Sequence, residues 1–271
     1  MRSVIGLAVG LWLSIAGCSD PVSEVVGESA ALDLSAFEMV DLSHTYDQDT
    51  LYWPTSTERF EHTELAYGES DGGYFYSSYS FSSPEHGGTH MDAPIHFAEG
   101  GTTLDRLPLS QLVVPGVVVD VRDAAAQDPD YRLQLADLQA WEAQHGAVPA
   151  GSAVLLLTGW DRRWPDTLRY LGDDSPGDAS SLHFPAFGEA AARFLVEERS
   201  VGLLGVDTAS IDYGPSTDFM VHQIVNGAGV AALENLTGLD RLPPTGAWLI
   251  ALPMKIGGGS GGPVRAIALL P

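Results

Sequence analysis

Five apolar runs of strand length constrain this chain more than any other feature. They are "QLVVPGVVVDV" (111–121), "AVLLLTG" (153–159), "VGLLGVD" (201–207), "AWLIALP" (247–253) and "VRAIALLP" (264–271). Runs this short with few polar residues read as strands covered on both faces, where strict alternation is not required. Pro115-Gly116 punctuates the first, which predicts two short strands or one bent strand there. "FEMVDLS" (37–43) and "YFYSSYSFSS" (74–83) add two more, the second with aromatic residues and serines in near alternation. Helical spacing is confined to a few places. Leu135, Leu138 and Trp141 stand three apart before Gly146, and Phe187, Ala190, Ala191, Phe194 and Leu195 follow an i, i+3, i+4, i+7, i+8 pattern within 186–200. Strands therefore dominate, a few helices pack on them, and the class is mixed α/β. With 271 residues, 45% of them hydrophobic, and no repeat, one sizeable domain over 37–271 is expected.

The start of the chain reads differently. "MRSVIGLAVGLWLSIAGCSD" has a positive Arg2, an apolar stretch from Val4 to Ala16 and small residues before Cys18, which is the anatomy of an export signal and too short to span a bilayer. "SIAGC" resembles the box at which bacterial lipoproteins are cleaved and lipidated. Residues 1–17 are thus expected to be a lipoprotein signal peptide, Cys18 the lipid anchor, and 18–36 an acidic tether. Cys18 is the sole cysteine, so the mature chain has no disulfide to form. Ser19 is not the aspartate associated with inner-membrane retention, so the periplasmic side of the outer membrane, or the cell surface, is the expected location.

Acidic and basic residues number 36 and 13, a formal charge of −23. That balance argues against binding nucleic acid or anionic lipid and leaves the anchor as the expected membrane contact.

"HGGTHMDAPIH", residues 86–96, gathers three of the eight histidines and an aspartate. Gly87, Gly88 and Pro94 make a helix improbable there. On an extended backbone of period two, His86, His90, Asp92 and His96 point to one side. Three imidazoles and a carboxylate in one volume repel unless a cation organises them, and neutral imidazole with carboxylate suits a divalent metal. The bland alternative is a polar loop with solvated histidines.

The same eleven residues match the HxGTHxDxPxH signature of the metal-dependent cyclase family, which includes bacterial kynurenine formamidases and isatin hydrolases. The resemblance continues through "VDLSHTYD", "VLLLTGWDRRW", "GLLGVDTASID", "VHQIVNGAGVAALENL" and "LPMKIGGGSGGPVRAIALL", in order. It implies a β-rich, barrel-like swivelling β/β/α fold with flanking helices, in a homodimer or higher homo-oligomer. It implies metal ligands at His86, His90, Asp92, His222 and Glu234, with Asp92 placed to bridge two ions, and His96 as the acid/base residue. Taken alone, Glu234 in "AALENL" reads as a surface helix glutamate and His222 as an ordinary histidine, so both roles rest on the resemblance. "WPTST" after Trp53 and Ala209 in "DTASID" depart from the family pattern near segments that shape a substrate pocket.

One or two zinc or manganese ions in such a site would bring the pKa of water from about 15.7 toward neutrality and polarise a carbonyl. His96 would carry the proton that a departing amine needs. The expected activity is hydrolysis of a C–N bond in a small aryl amide, formamide or lactam, with Trp53 as an aromatic wall against the substrate. A metal-dependent lyase or dehydratase using His96 as base, and a non-catalytic surface ligand-binding lipoprotein, are the alternatives. "GGSGG" (258–262) formally fits a nucleophile elbow, but no helix and no histidine follow it, so Ser260 is expected to be a loop residue.

Overall fold

In the computed structural model, which describes residues 33–175 and 177–271, twelve strands are present. They are β1 (Glu38–Asp41), β2 (Glu61–Glu69), β3 (Phe75–Ser82), β4 (His90–Asp92), β5 (Val113–Asp120), β6 (Arg132–Leu133), β7 (Ala153–Leu157), β8 (Ala186–Phe187), β9 (Leu203–Val206), β10 (Ala231–Glu234), β11 (Ala247–Pro253) and β12 (Gly261–Leu270). Six α-helices accompany them: α1 (Leu109–Leu112), α2 (Arg122–Gln127), α3 (Leu135–His145), α4 (Thr167–Leu171), α5 (Glu189–Arg193) and α6 (Met220–Gly227). Residues 35–271 form one compact unit. The expected signal peptide, Cys18 and residues 18–32 of the tether lie outside the described residues.

Seven strands close into a barrel in the order β4, β12, β11, β5, β7, β9, β10, with β10 pairing back onto β4. β1 pairs with β12 outside that ring. The β5–β7–β9–β10 pairings are parallel and the rest antiparallel. Strand parity explains why the apolar runs are continuous. Leu155, Val118, Leu203, Leu233, Met91, Ala266 and Leu249, one from each barrel strand, belong to a single buried cluster that fills the interior. Their neighbours Val154, Leu156, Val117, Val119, Leu204 and Ala232 belong to a second cluster under α3, α5 and α6. The parallel strands β5, β7, β9 and β10 are thus buried on both faces and need no polar face, whereas β11 turns Trp248 and Leu252 to solvent.

Local chemistry sets the element ends. The α3 N-terminus is a capping box: the Gln134 backbone N–H donates to Asp137 Oδ2 at 2.7 Å, and Gly146, at φ 89°, ends the helix as expected. Trp141 donates its indole N–H to Val118 O at 2.8 Å, tying α3 to the barrel wall. Segment 111–121 is α1 followed by one strand, with Pro115 opposite Trp248. Segment 186–200 begins as β8 because Ala186–Phe187 pair in parallel with β6, Ala186 N–H donating to Tyr131 O and Gly188 N–H to Leu133 O, so the helix starts only at Glu189 and widens into a π turn over Phe194–Glu198.

β2 and β3 form a hairpin outside the barrel. Leu65, Tyr67, Phe75, Tyr76, Tyr79 and Phe81 on it are all exposed, so both of its faces carry apolar side chains to solvent. Among the described residues, no helix is long and apolar enough to cross a membrane.

His44 gives the fold a pH dependence. Its ring stacks on Trp164, centroids 4.2 Å apart and 8° from parallel, with Nε2 buried and without a hydrogen-bond partner. Burial pushes its pKa down to about 4, against a smaller upward pull from Asp161. Below pH ~6.5 the unfolded chain takes up a proton that the folded chain refuses. This contribution is therefore complete above that pH and is lost as pH falls toward 4. Tm is expected to drop across that window, and His44→Phe, which keeps the stack without the titration, is expected to flatten that part of the curve. Thermal melts of both proteins at several pH values check it.

Candidate metal centre

Strand β4 is only three residues long, and parity divides them. Met91 drops into the barrel interior, so His90 and Asp92 stand on the outer wall. On the neighbouring strand Leu233 points inward while Glu234 points outward, and the register pairs Glu234 directly with His90. Glu234 therefore lies in a buried strand, 5% exposed, and not on a helix surface. His222 comes from α6, which packs over this wall. Asp212 puts it there: its carboxylate accepts the N–H groups of Val221 and His222 at 2.9 and 3.0 Å, capping the first turn of α6, and also holds His222 Nδ1 at 2.7 Å. Gly88, at φ 56°, is required upstream because a Cβ there would lie 2.6 Å from Tyr46 Cζ.

Each buried imidazole is held from behind. His90 Nδ1 donates to Gly88 O at 3.0 Å, and that carbonyl is itself fixed by Asn235 Nδ2 at 2.8 Å. With Nδ1 committed on both rings, the Nε2 atoms face the carboxylates. His90 Nε2 lies 3.3 Å from Asp92 Oδ1 and 3.4 Å from Glu234 Oε2; His222 Nε2 lies 3.4 Å from Asp92 Oδ2 and 3.2 Å from Glu234 Oε1. His86 approaches Asp92 Oδ1 with Nδ1, at 2.7 Å. Backing of this kind is what orients imidazole ligands in metal sites.

The electrostatics call for positive charge. Burial works against a charged His90, yet Asp92 and Glu234 overcome it and hold its pKa up at about 9. His222 is raised well above its ordinary value in the same way, burial being outweighed by Asp212, Asp92 and Glu234. Burial would raise Asp92, but the surrounding imidazoles, His90 first, hold it well below the usual carboxylate range. His96 is the exception. Burial pushes it down to about 4, with only a partial pull upward from Asp92.

A divalent cation fits this donor set. His90 Nε2 is buried and has no hydrogen-bond partner, and two triads, His86–Asp92–His96 and His90–Asp92–Glu234, each bring one ligand atom per residue within 4.8 Å of the others. Asp92 belongs to both. The four residues of the 86–96 motif do converge, though not through one extended strand. Only His90 and Asp92 share β4; His86 precedes it in a bend, and His96 closes the 3₁₀ turn Pro94–His96, its ring stacked 3.9 Å from that of His86.

The model of the Cyclase family matches residues 40–213. An isatin hydrolase from Roseibium aggregatum is 35% identical over 225 residues, covering 80% of this chain and 83% of the relative. A kynurenine formamidase from Salinibacter ruber is 31% identical over 230 residues, covering 84% and 96%. The crystal structure of an isatin hydrolase bound to the product analogue thioisatinate superposes with a TM-score of 0.79 at 32% identity, covering 88% of this chain and 94% of that one. The chain belongs to the Cyclase family.

In this cyclase the centre opens into a cavity of about 280 Å³ walled by Leu51, Trp53, Phe97, Leu171 and Phe219. Trp53 lines this cavity, with its ring 6.1 Å from Phe219 and 6.3 Å from Phe184. Ala209, one of the departures from the cyclase pattern, also lines it. Phe219, which lines the cavity, holds left-handed backbone at φ 51°, a costly conformation for a bulky side chain. A larger open cleft of about 910 Å³ lies between α2, α3 and Trp160–Arg163, but Arg122 and Arg162 there are already paired with Asp120 and Asp240, and among the described residues no metal-ligand set converges on it. Sequence reasoning missed Asp212, Asn235, Phe97 and Phe219. None stands in a distinctive spacing, and each acts through contacts made only in the folded chain.

Proposed function

We propose that this cyclase hydrolyses the C–N bond of a small aryl lactam or amide, with zinc or manganese, one or two ions, held by His86, His90, Asp92, His222 and Glu234. The observation that carries it is the buried, partnerless His90 Nε2 facing two carboxylates at the floor of an aromatic cavity. A divalent cation supplies there what side chains lack, an acidified water and a polarised carbonyl.

The chain's own groups do the rest. Trp53, Phe97 and Phe219 bind an aromatic ring and keep bulk water away from the reacting bond. His96 stays neutral at working pH because burial holds it near 4, and a neighbouring cation would lower it further. A ring nitrogen of His96 is therefore free to take the proton of the attacking water and pass it to the leaving nitrogen. The similarity to isatin hydrolases, 35% identity against 31% for the formamidase, favours a lactam over an open formamide. The test is turnover of an aryl lactam in ¹⁸O-labelled water by the metal-loaded protein. Hydrolysis puts one solvent oxygen into the new carboxylate. Product without label, or no turnover with either metal, sinks this reading.

Two further parts of the reading rest on other residues. The exposed aromatic faces of the β2–β3 hairpin support a homodimer or higher homo-oligomer, since an isolated hairpin of this kind is marginal without cover. Sedimentation velocity is expected to show an oligomer that Tyr67→Asp with Phe75→Asp reduces to monomer. Arg2, the apolar stretch 4–16 and the sole cysteine support export and lipidation at Cys18, with residence at the outer membrane. Labelled palmitate that is incorporated by the parent but not by Cys18→Ala is the expected result.

A further inference from the structure

Ser260 lies in the glycine-rich turn before β12, across the fold from the 86–96 motif in sequence but beside it in space. Its hydroxyl is 2.8 Å from Glu85 Oε2 and 2.9 Å from His86 Nε2. The same Glu85 oxygen accepts the backbone N–H of Ser260 at 2.9 Å and of Gly261 at 3.3 Å. Backbone N–H groups only donate, so this oxygen faces the turn as an acceptor. A hydroxyl has one proton to give. Ser260 gives it to Glu85, and the oxygen then has only lone pairs to offer His86.

We propose that Glu85 and Ser260 form a positioning relay that keeps a proton on His86 Nε2 and thereby makes Nδ1 the atom His86 turns to the cation. This rests on the metal-hydrolase reading and assigns to that site two residues outside its ligand set. It makes His86 the odd ring of the centre, since His90 and His222 have Nδ1 committed and face the carboxylates through Nε2. His86 Nδ1 lies 2.7 Å from Asp92 Oδ1, within hydrogen-bond distance, so this ring nitrogen already faces the carboxylate common to both triads. The turn is shaped to permit the arrangement. A Cβ on Gly261 would lie 2.5 Å from His86 Cε1, so the ring fits only against a glycine. Ser260, read from sequence as a loop residue, is in the turn as expected but takes part in orienting the site.

The experiment uses the zinc-loaded protein, where zinc leaves the ring nitrogens visible to NMR. Long-range ¹H–¹⁵N correlation is expected to show His86 protonated at Nε2 and shifted by coordination at Nδ1. Ser260→Ala is expected to weaken zinc binding about 10- to 100-fold, the range for loss of a group that orients a ligand, with turnover largely restored at saturating zinc. Zinc bound through His86 Nε2, or a Ser260→Ala protein with the parent's zinc affinity, overturns the relay while leaving the hydrolase reading standing. The parent spectrum decides the matter even if the variant fails to fold. A parent that binds no zinc or manganese at all overturns both.

Discussion

Asp92→Ala is expected to abolish cation binding and to lower kcat/KM about 10⁴-fold, the scale of losing several kcal/mol of stabilisation that a metal gives a developing charge. No other residue touches as much of the centre. Asp92 is fully buried and lies within 3.4 Å of His86, His90 and His222, and it is the member common to both triads. Without it, the imidazoles lose the carboxylate that favours positive charge between them, and Glu234 alone remains to balance a divalent ion. Metal content of the purified variant, titration calorimetry and turnover measure this together, with circular dichroism to show that the barrel has formed. An Asp92→Ala protein that keeps its metal and turns over within tenfold of the parent would show that the chemistry lies elsewhere.

The second large effect concerns His96. His96→Ala is expected to retain the cation and to lose about 10²- to 10⁴-fold in turnover, the ordinary contribution of a positioned acid/base group. The geometry makes this a sharp test, because His96 also lies in a triad with His86 and Asp92 and could instead be a ligand. If metal and turnover disappear together, His96 holds the ion and the proton carrier is another group. If the parent itself turns nothing over, the chain binds a metal without catalysis. Free imidazole discriminates further when metal content is followed beside turnover: rescue of turnover at unchanged metal content marks a lost proton carrier, and rescue of both together marks a lost ligand.

Fold class was legible because barrel strands buried on both faces leave unbroken apolar runs, as at Ala153–Leu157 and Leu203–Val206. Closure into a barrel was legible only through the family resemblance, since it depends on β4, three residues of which two are ionisable, pairing on both sides. The 86–96 motif was legible through its composition, and its convergence was anticipated for partly the wrong reason: a bend and a 3₁₀ turn, not one extended strand, bring in His86 and His96. Glu234 could be found only through the family pattern, because "AALENL" has no strand signature until β9 and β4 flank it. Asp212 gave no signal at all. Its carboxylate does two jobs at once, capping α6 and gripping His222, and both exist only after α6 has formed.

The placement of β4 between β10 and β12 puts His90 and Asp92 on the strand that closes the ring. A slip of one residue in that strand would turn Met91 out toward α6 and drive His90 and Asp92 into the hydrocarbon interior. A chain so misaligned cannot collect the ion. Metal uptake therefore reads out correct ring closure, and a protein supplied with metal during refolding should accumulate in the aligned form at the expense of its shifted neighbours.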